Sequence, residues 1–151
     1  FSLVRRVFDV NEKKLAMHFD DRGATLGETL LTPTRIYVKA VMSLLDAVKG
    51  KSISHITGGG FYENIPRSIP DGLGARIDRN AVRVLPIFDM IAEVGNISEH
   101  DMFNTFNMGV GMSIIVSPEY AARAIDILHA NGEDAYIIGE ITESADKIQI
   151  I

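Results

Sequence analysis

The most unusual segment of the sequence is His55-Ile-Thr-Gly-Gly-Gly-Phe-Tyr-Glu-Asn-Ile-Pro-Arg67. A short β-like run around Ile53 and Ile56 leads into three consecutive glycines, and a short helical pattern follows them. Glycine permits positive φ and lets backbone N–H groups approach an anion without a Cβ in the way. The start of the following helix adds unpaired N–H donors and a positive dipole end. The segment therefore predicts a strand–turn–helix unit whose turn is suited to binding phosphate.

Three side chains in this segment strengthen the phosphate interpretation. Thr57 offers a hydroxyl, Asn64 an amide, and Arg67 a guanidinium fork that matches phosphate oxygens. The alternative is a tight turn whose glycines only solve a backbone problem. The candidate phosphate-binding set is Thr57, Gly58, Gly59, Gly60, Asn64 and Arg67.

His55 lies two residues before Thr57, at the strand end that meets the glycine turn. A histidine there is a candidate catalytic acid–base or orienting group, and a buried or half-buried structural histidine is the alternative. The chain has four histidines, and none of them shows the spacing of metal ligands. No metal site is predicted.

A third set of polar groups lies in Thr32-Pro-Thr-Arg-Ile-Tyr37, where a proline stiffens the turn. Thr34 and Arg35 are candidate donors for a polar substrate, and Thr34 could equally cap the following helix. A second glycine-rich segment, Phe103-Asn-Thr-Phe-Asn-Met-Gly-Val-Gly-Met112, precedes a strand instead of following one. It is therefore no dinucleotide fingerprint, and it favours a helix-to-strand crossing in the core. Its amides, Asn104 and Asn107, need hydrogen-bond partners, which could include ligand groups.

The apolar pattern along the chain predicts an α+β fold, an α/β sandwich with one mixed sheet and helices packed on it. Helices are expected over residues 1–8, 10–18, 36–48, 86–94 and 118–130 and after Ser98, with Gly50 and Gly95 as helix stops. Strands are expected over residues 53–57, 75–78, 110–116, 135–141 and 148–151. Asp20, Asp21, Arg22 and Gly23 break the first helical pattern. No linker divides the chain, so residues 1–151 are predicted to form one domain.

Composition excludes several classes of protein. The 151 residues are 46% hydrophobic with a net charge of −5, which is too apolar and too weakly charged for a disordered chain. The absence of cysteine excludes a disulfide scaffold, a thiolate zinc site and a cysteine nucleophile. The net charge is negative, so the sequence lacks the basic surface that binding to nucleic acid requires. The longest run without charged residues is interrupted by polar residues and glycines, so it is not apolar enough to span a membrane. A soluble, cytoplasmic domain is expected. Because the chain opens on Phe1, already within a helical pattern, we expect it to be an excised part of a longer protein.

The three clusters together resemble one enzyme family. Leu31-Thr-Pro-Thr-Arg-Ile-Tyr-Val-Lys39, the glycine segment and residues 103–112 occur in this order and at these separations in the C-terminal domain of phosphoribosylformylglycinamidine cyclo-ligases (aminoimidazole ribonucleotide synthetases). The resemblance covers essentially the whole chain, and it is most specific from Gly58 to Arg67. Formylglycinamidine ribonucleotide synthetase and other ATP-using families that share the domain look less similar.

The resemblance implies ATP-dependent ring closure of formylglycinamidine ribonucleotide to aminoimidazole ribonucleotide in purine biosynthesis. It implies that residues 1–151 are the substrate-facing C-terminal domain, and that an absent N-terminal domain supplies most of the site for ATP and Mg²⁺ and the main homodimer contact. The isolated chain is then expected to be inactive. It also implies that Thr57, Gly58, Gly59, Gly60 and Arg67 hold a substrate phosphate, with Asn64, Thr34, Arg35 and His55 nearby. The alternatives are a sibling ATP-using enzyme and a non-catalytic phosphate-ligand or dimerisation module.

Overall fold

The computed structural model of the protein describes residues 2–18 and 23–151, so Phe1 and the predicted break at Asp20, Asp21 and Arg22 lie outside the described residues. The helices are α1 Ser2–Phe8, α2 Glu12–Leu15, α3 Leu26–Leu30, α4 Val38–Ala47, α5 Gly60–Asn64, α6 Pro86–Gly95, α7 Glu99–Thr105 and α8 Ala121–Ala130. The strands are β1 Gly50–His55, β2 Leu73–Ile77, β3 Met112–Val116, β4 Gly139–Glu143 and β5 Ile148–Ile150. Short 3₁₀ turns occur at Pro66–Ser68, Arg79–Ala81 and Pro118–Tyr120. None of the helices in these ranges is long and apolar enough to span a membrane.

One compact unit comprises the described part of residues 2–34 together with residues 84–102. Within it, α1 packs against α6 and buries Val4 and Phe8 on one side and Ile87 and Ile91 on the other. These residues recur at helical spacing, which explains why the sequence pattern located both helices. The core of this unit is therefore a helix pair.

Helix ends in this unit follow local hydrogen-bonding rules. Thr25 and Glu28 form a capping box at the start of α3, with the Glu28 carboxylate accepting from the Thr25 amide at 2.8 Å. Those hydrogen bonds lower the pKa of Glu28. Gly95 was predicted to stop α6, but it is the last helical residue, and Asn96 adopts the left-handed conformation at φ 47°. A Cβ on Gly95 would lie 2.8 Å from Cδ1 of Ile97 and 2.9 Å from a Val7 methyl, so these side chains would have to shift to admit one.

The second unit comprises residues 35–83 and 103–151 and contains all five strands. β1 and β3 pair antiparallel, with a register irregularity between Gly50 and Ser52. The predicted helix stop Gly50 is instead the first residue of β1, because Val48 already leaves the helix in an extended conformation. Helices α4 and α8 pack together, and the cluster of Leu44, Val48 and Ala124 joins them to the apolar side chains of β3.

The remaining strands form a three-stranded sheet in the order β4-β2-β5. β2 pairs antiparallel with β4 and parallel with β5, so the predicted mixed sheet is confirmed. The described strands nevertheless form two sheets, not one. The strand expected over residues 135–141 begins only at Gly139, because Gly139 pairs with Ile77, the residue at which the partner strand β2 ends. The predicted α+β class is confirmed.

Candidate functional site

The glycine segment forms the strand–turn–helix unit that the sequence predicts. β1 ends at His55, and the Ile56 amide then donates to the Gly111 carbonyl at 2.9 Å. The Gly60 amide donates to the Thr57 carbonyl at 3.0 Å, which closes a turn over Gly58 and Gly59. Helix α5 starts directly at Gly60.

The three glycines of this turn have different structural roles. Gly59 and Gly60 have φ values of 92° and 55°, in the region that favours glycine. A Cβ on Gly60 would collide with the carbonyl oxygens of Phe103 and Phe106. A Cβ on Gly58 would meet nothing within 4 Å. Gly60 is therefore required by packing and Gly59 by backbone conformation, whereas Gly58 is sterically unconstrained.

Asn64 fixes the turn from within. Its side chain is buried, and its Nδ2 donates to the carbonyls of Gly60 at 2.7 Å and Gly58 at 3.1 Å. These bonds engage the carbonyl side of the turn. Among the described residues no atom accepts from the amides of Gly58 and Gly59, so the N–H side of the turn is available for an anion. The predicted substrate contact of Asn64 stays a prediction, since its amide donors are used inside the chain.

Two of the other predicted phosphate ligands are exposed. Thr57 lies at the surface beside the turn. The Arg67 Nη2 pairs with the Glu63 carboxylate at 3.2 Å, and 69% of the Arg67 side chain is exposed. Any anion bound at the turn would compete with Glu63 for the Arg67 guanidinium.

The second glycine-rich segment packs against the first. The rings of Phe61 and Phe103 meet edge to face with centroids 5.0 Å apart. Asn107 donates to the Ile56 carbonyl at 3.5 Å and accepts from the Gly109 amide at 3.1 Å. The helix-to-strand crossing is therefore confirmed, and Asn107 finds its partners within the chain. Asn104 is half-buried.

Arg35 is held by the loop that follows α8. Its Nε pairs with the Glu133 carboxylate at 2.9 Å, and its Nη2 donates to the Gly132 carbonyl at 2.7 Å. Thr34 is exposed, and the alternative role as a helix cap is wrong for it, because Tyr37 is the residue at the N-cap of α4. The roles of Thr34 and Arg35 toward a substrate stay predictions.

His55 is exposed, so the alternative of a buried or half-buried structural histidine is wrong. Its ring meets the ring of Tyr37 at a centroid distance of 6.1 Å and an interplanar angle of 71°. Burial raises the pKa of Tyr37, and the nearby Glu133 carboxylate raises it further while Arg35 lowers it. Tyr37 and Glu133 are neighbours that the sequence did not assign to the site. Tyr37 is the last residue of the polar segment Thr32-Pro-Thr-Arg-Ile-Tyr37, whereas nothing in the sequence pattern links Glu133 to that segment.

The chemistry available here is anion binding with an adjacent imidazole. Within residues 2–18 and 23–151, no group of three histidine, aspartate or glutamate side chains is arranged to hold a metal ion.

A separate open cleft of about 650 Å³ lies beside β2 and β4 and is lined by residues such as Arg76, Asp78 and Glu140. It includes none of the predicted site residues.

Comparison with known proteins agrees with the motifs. The family model described as AIR synthase related protein, C-terminal domain, matches residues 1–151. Several curated relatives are named phosphoribosylformylglycinamidine cyclo-ligase. The relative from Alkaliphilus oremlandii is 49% identical over 98% of the chain and 44% of the relative. The relative from Acetivibrio thermocellus is 47% identical over 99% of the chain and 44% of the relative. That of Lachnospira eligens is 51% identical over 97% of the chain and 43% of the relative.

The chain therefore spans less than half the length of the curated relatives that it matches. The family match, in contrast, covers the chain from end to end. The family match shows that this chain belongs to the family of AIR synthase related proteins, as their C-terminal domain.

Proposed function

We propose that the protein of which this chain forms part closes the imidazole ring of aminoimidazole ribonucleotide, using formylglycinamidine ribonucleotide and ATP. The name of the relatives, phosphoribosylformylglycinamidine cyclo-ligase, supports the reaction. The observation that carries the proposal in this chain is the glycine turn, in which Asn64 engages the carbonyls and leaves the amides of Gly58 and Gly59 for a phosphate. A ribonucleotide substrate carries such a phosphate.

The reaction needs a leaving group on the formyl carbon. Transfer of the terminal phosphoryl group of ATP to the formyl oxygen creates it and leaves ADP. The amidine nitrogen then attacks this carbon, the carbon–oxygen bond breaks, phosphate departs, and the nitrogen loses a proton. Such transfers depend mainly on positioning and on neutralising negative charge.

We assign the residues of this chain to the substrate side of that reaction. Thr57, Gly58, Gly59 and Arg67 hold the substrate phosphate, whereas Gly60, whose amide already donates to the Thr57 carbonyl, and Asn64 hold the turn in shape. Arg35 and Thr34 offer further polar contacts to the substrate. His55 lies beside the turn as an acid–base or orienting group.

The described residues do not fit a Mg²⁺ site, because they contain no cluster of carboxylate or histidine ligands. We therefore assign Mg²⁺, and most of the contacts to ATP, to the part of the relatives that this chain does not match. In the same proposal, residues 1–151 are one substrate-facing domain of a cytoplasmic homodimer that binds neither nucleic acid nor membrane. The chain alone is then inactive.

A chimeric enzyme tests the proposed function. Residues 1–151 replace the matched segment of the Alkaliphilus oremlandii relative, and formation of aminoimidazole ribonucleotide from formylglycinamidine ribonucleotide and ATP is measured. We expect turnover by the chimera and none by the 151-residue chain. A folded chimera that makes no product, under conditions where the parent relative does, would contradict the proposal. It would leave the sibling ATP-using enzyme and the non-catalytic module as the remaining candidates.

A further inference from the structure

Tyr37 meets His55 at the point where β1 enters the glycine turn. The two rings lie at 71° to each other with centroids 6.1 Å apart, which is an edge-to-face arrangement. His55 pairs with Met112 on β3, so its backbone is fixed by the sheet. Its imidazole is exposed, and Tyr37 is its aromatic neighbour.

Gly111 provides the space that the Tyr37 phenol occupies. A Cβ on Gly111 would collide with the Tyr37 hydroxyl oxygen and lie 2.9 Å from Cζ. Gly111 is not among the residues with positive φ, so its backbone conformation does not require glycine, and the three atoms nearest to an added Cβ all belong to the phenol. The Gly111 carbonyl also accepts the Ile56 amide, one residue before Thr57. The phenol thus packs against the residue whose carbonyl accepts from the backbone that leads into the turn.

The chain segment that carries Tyr37 is also held by Arg35, two residues before it. The guanidinium of Arg35 makes both the 2.9 Å ion pair with Glu133 and the 2.7 Å hydrogen bond to the Gly132 carbonyl. Only 16% of the Glu133 side chain is exposed, so this pair is better shielded than a surface pair. Burial of Tyr37 and the Glu133 charge raise the pKa of the phenol, while the Arg35 charge lowers it.

We propose that Tyr37 is a positioning residue that orients the His55 imidazole toward a ligand at the glycine turn, with Gly111 as the space that admits its phenol. This inference rests on the proposed function for the part that His55 plays in ring closure. The geometric claim, that Tyr37 fixes the His55 ring, does not depend on it. The ring of Tyr37 makes the contact, so phenylalanine can replace it and leucine cannot.

The geometric claim is tested on the 151-residue chain by NMR of its histidine rings. In Tyr37→Leu, the ring protons of His55 should shift because the ring current of Tyr37 is lost. Those of His129, which contacts the Ala135 carbonyl, should not shift. Tyr37→Phe should keep the His55 shifts near those of the unmodified chain. Unchanged His55 signals in Tyr37→Leu would overturn the proposal whatever reaction the enzyme catalyses.

The catalytic part is tested in the chimeric enzyme. Tyr37→Leu should lower kcat roughly tenfold and leave KM within about twofold, because a misoriented group slows chemistry more than binding. His55→Ala should cost about a hundredfold, and adding Tyr37→Leu to it should cost nothing more. If the losses of kcat from Tyr37→Leu and His55→Ala multiply in the double variant, the positioning role is overturned. Tyr120→Leu, a tyrosine at the start of α8, serves as the control for general destabilisation.

Gly111→Ala provides an independent variant that leaves both aromatic residues in place. The added methyl group should displace the phenol and reproduce the loss of kcat. Tyr37→Phe in the same chain should restore part of it, since the colliding oxygen is gone while the 2.9 Å approach to Cζ remains. No recovery in the double variant would overturn the role of Gly111. If the unmodified chimera is inactive, the proposed function fails, and the NMR measurement still decides the orientation of His55.

Discussion

The ring of Phe61 meets the ring of Phe103 edge to face, with 5.0 Å between centroids. This contact joins the helix after the glycine turn to the start of the second glycine-rich segment. It also brings the Phe103 carbonyl so close to Gly60 that no side chain fits there. The Arg79 guanidinium lies over the ring of Phe103, 5.3 Å from its centroid. Two segments far apart in sequence therefore form one packed support for the turn.

The close approach at Gly60 predicts that alanine is poorly tolerated there. Gly60→Ala should lower the free energy of unfolding by at least about 2 kcal/mol, because it adds a strained positive φ to a collision with two backbone carbonyls. The midpoint of urea unfolding measures the change.

Gly58→Ala is the matched control for Gly60→Ala. Its Cβ meets nothing within 4 Å and its φ is ordinary, so we expect a change below about 0.5 kcal/mol. Equal losses for the two variants would mean that the contact with residues 103–106 does not constrain the turn.

A second prediction concerns the buried amide of Asn64. Asn64→Ala should destabilise the chain by about 2 kcal/mol, since it removes both hydrogen bonds that the buried side chain donates to the carbonyls of Gly58 and Gly60. Asn64→Asp should cost at least as much at neutral pH, because a carboxylate would face two carbonyl oxygens. Urea unfolding of both variants gives the comparison, with Asn104→Ala as the control at a half-buried site. A neutral Asn64→Ala would show that the turn keeps its shape unaided.

Local patterns of the sequence explain why the helices and the glycine turn were predictable. Apolar spacing located α1 and α6, and Ser98 caps α7 by accepting from the Asp101 amide at 3.1 Å, as its sequence pattern indicates. A β-branched run likewise located β3. These elements depend on neighbours within one or two turns of chain.

Features set by distant contacts were not predictable in the same way. The start of β4 depends on its pairing with β2, in which Gly139 lies opposite Ile77. A residue with a Cβ would not fit at position 139, because the Cβ would collide with the Arg76 carbonyl. Likewise, Glu133 joins the candidate site only because Arg35 reaches across to it. Sequence spacing does not reveal such pairs, whereas the glycine pattern around residues 58–60 does predict the turn.

A third prediction concerns alkaline pH. The pKa of Tyr37 is raised above its ordinary value near 10, mainly by burial, so the folded state holds this proton more tightly than the unfolded state. Its contribution to stability is therefore fully present below about pH 10 and is lost as the pH rises toward the folded-state pKa. Above about pH 10, the free energy of unfolding of Tyr37→Phe should fall less steeply with pH than that of the unmodified chain. Urea unfolding at several pH values measures both.

Absorption of the phenolate provides a direct check on Tyr37. The chain has four tyrosines, and the difference between the titrations of the unmodified chain and Tyr37→Phe isolates one of them. Glu133→Gln should lower the pKa of Tyr37, because it removes a negative charge that disfavours the phenolate. A Tyr37 titration at the ordinary tyrosine pKa in the unmodified chain would contradict both the burial and the influence of Glu133.

The last prediction separates phosphate binding from stability at Arg67. Its ion pair with Glu63 is exposed, so Arg67→Ala should change the free energy of unfolding by less than about 1 kcal/mol. If the guanidinium contacts the substrate phosphate, the same variant should weaken phosphate binding roughly tenfold, measured by titrating inorganic phosphate into the 151-residue chain. Glu63→Gln should tighten binding, because it removes a competing carboxylate next to the turn. Equal affinity in all three chains would remove Arg67 from the site and leave the amides of Gly58 and Gly59 as the phosphate donors.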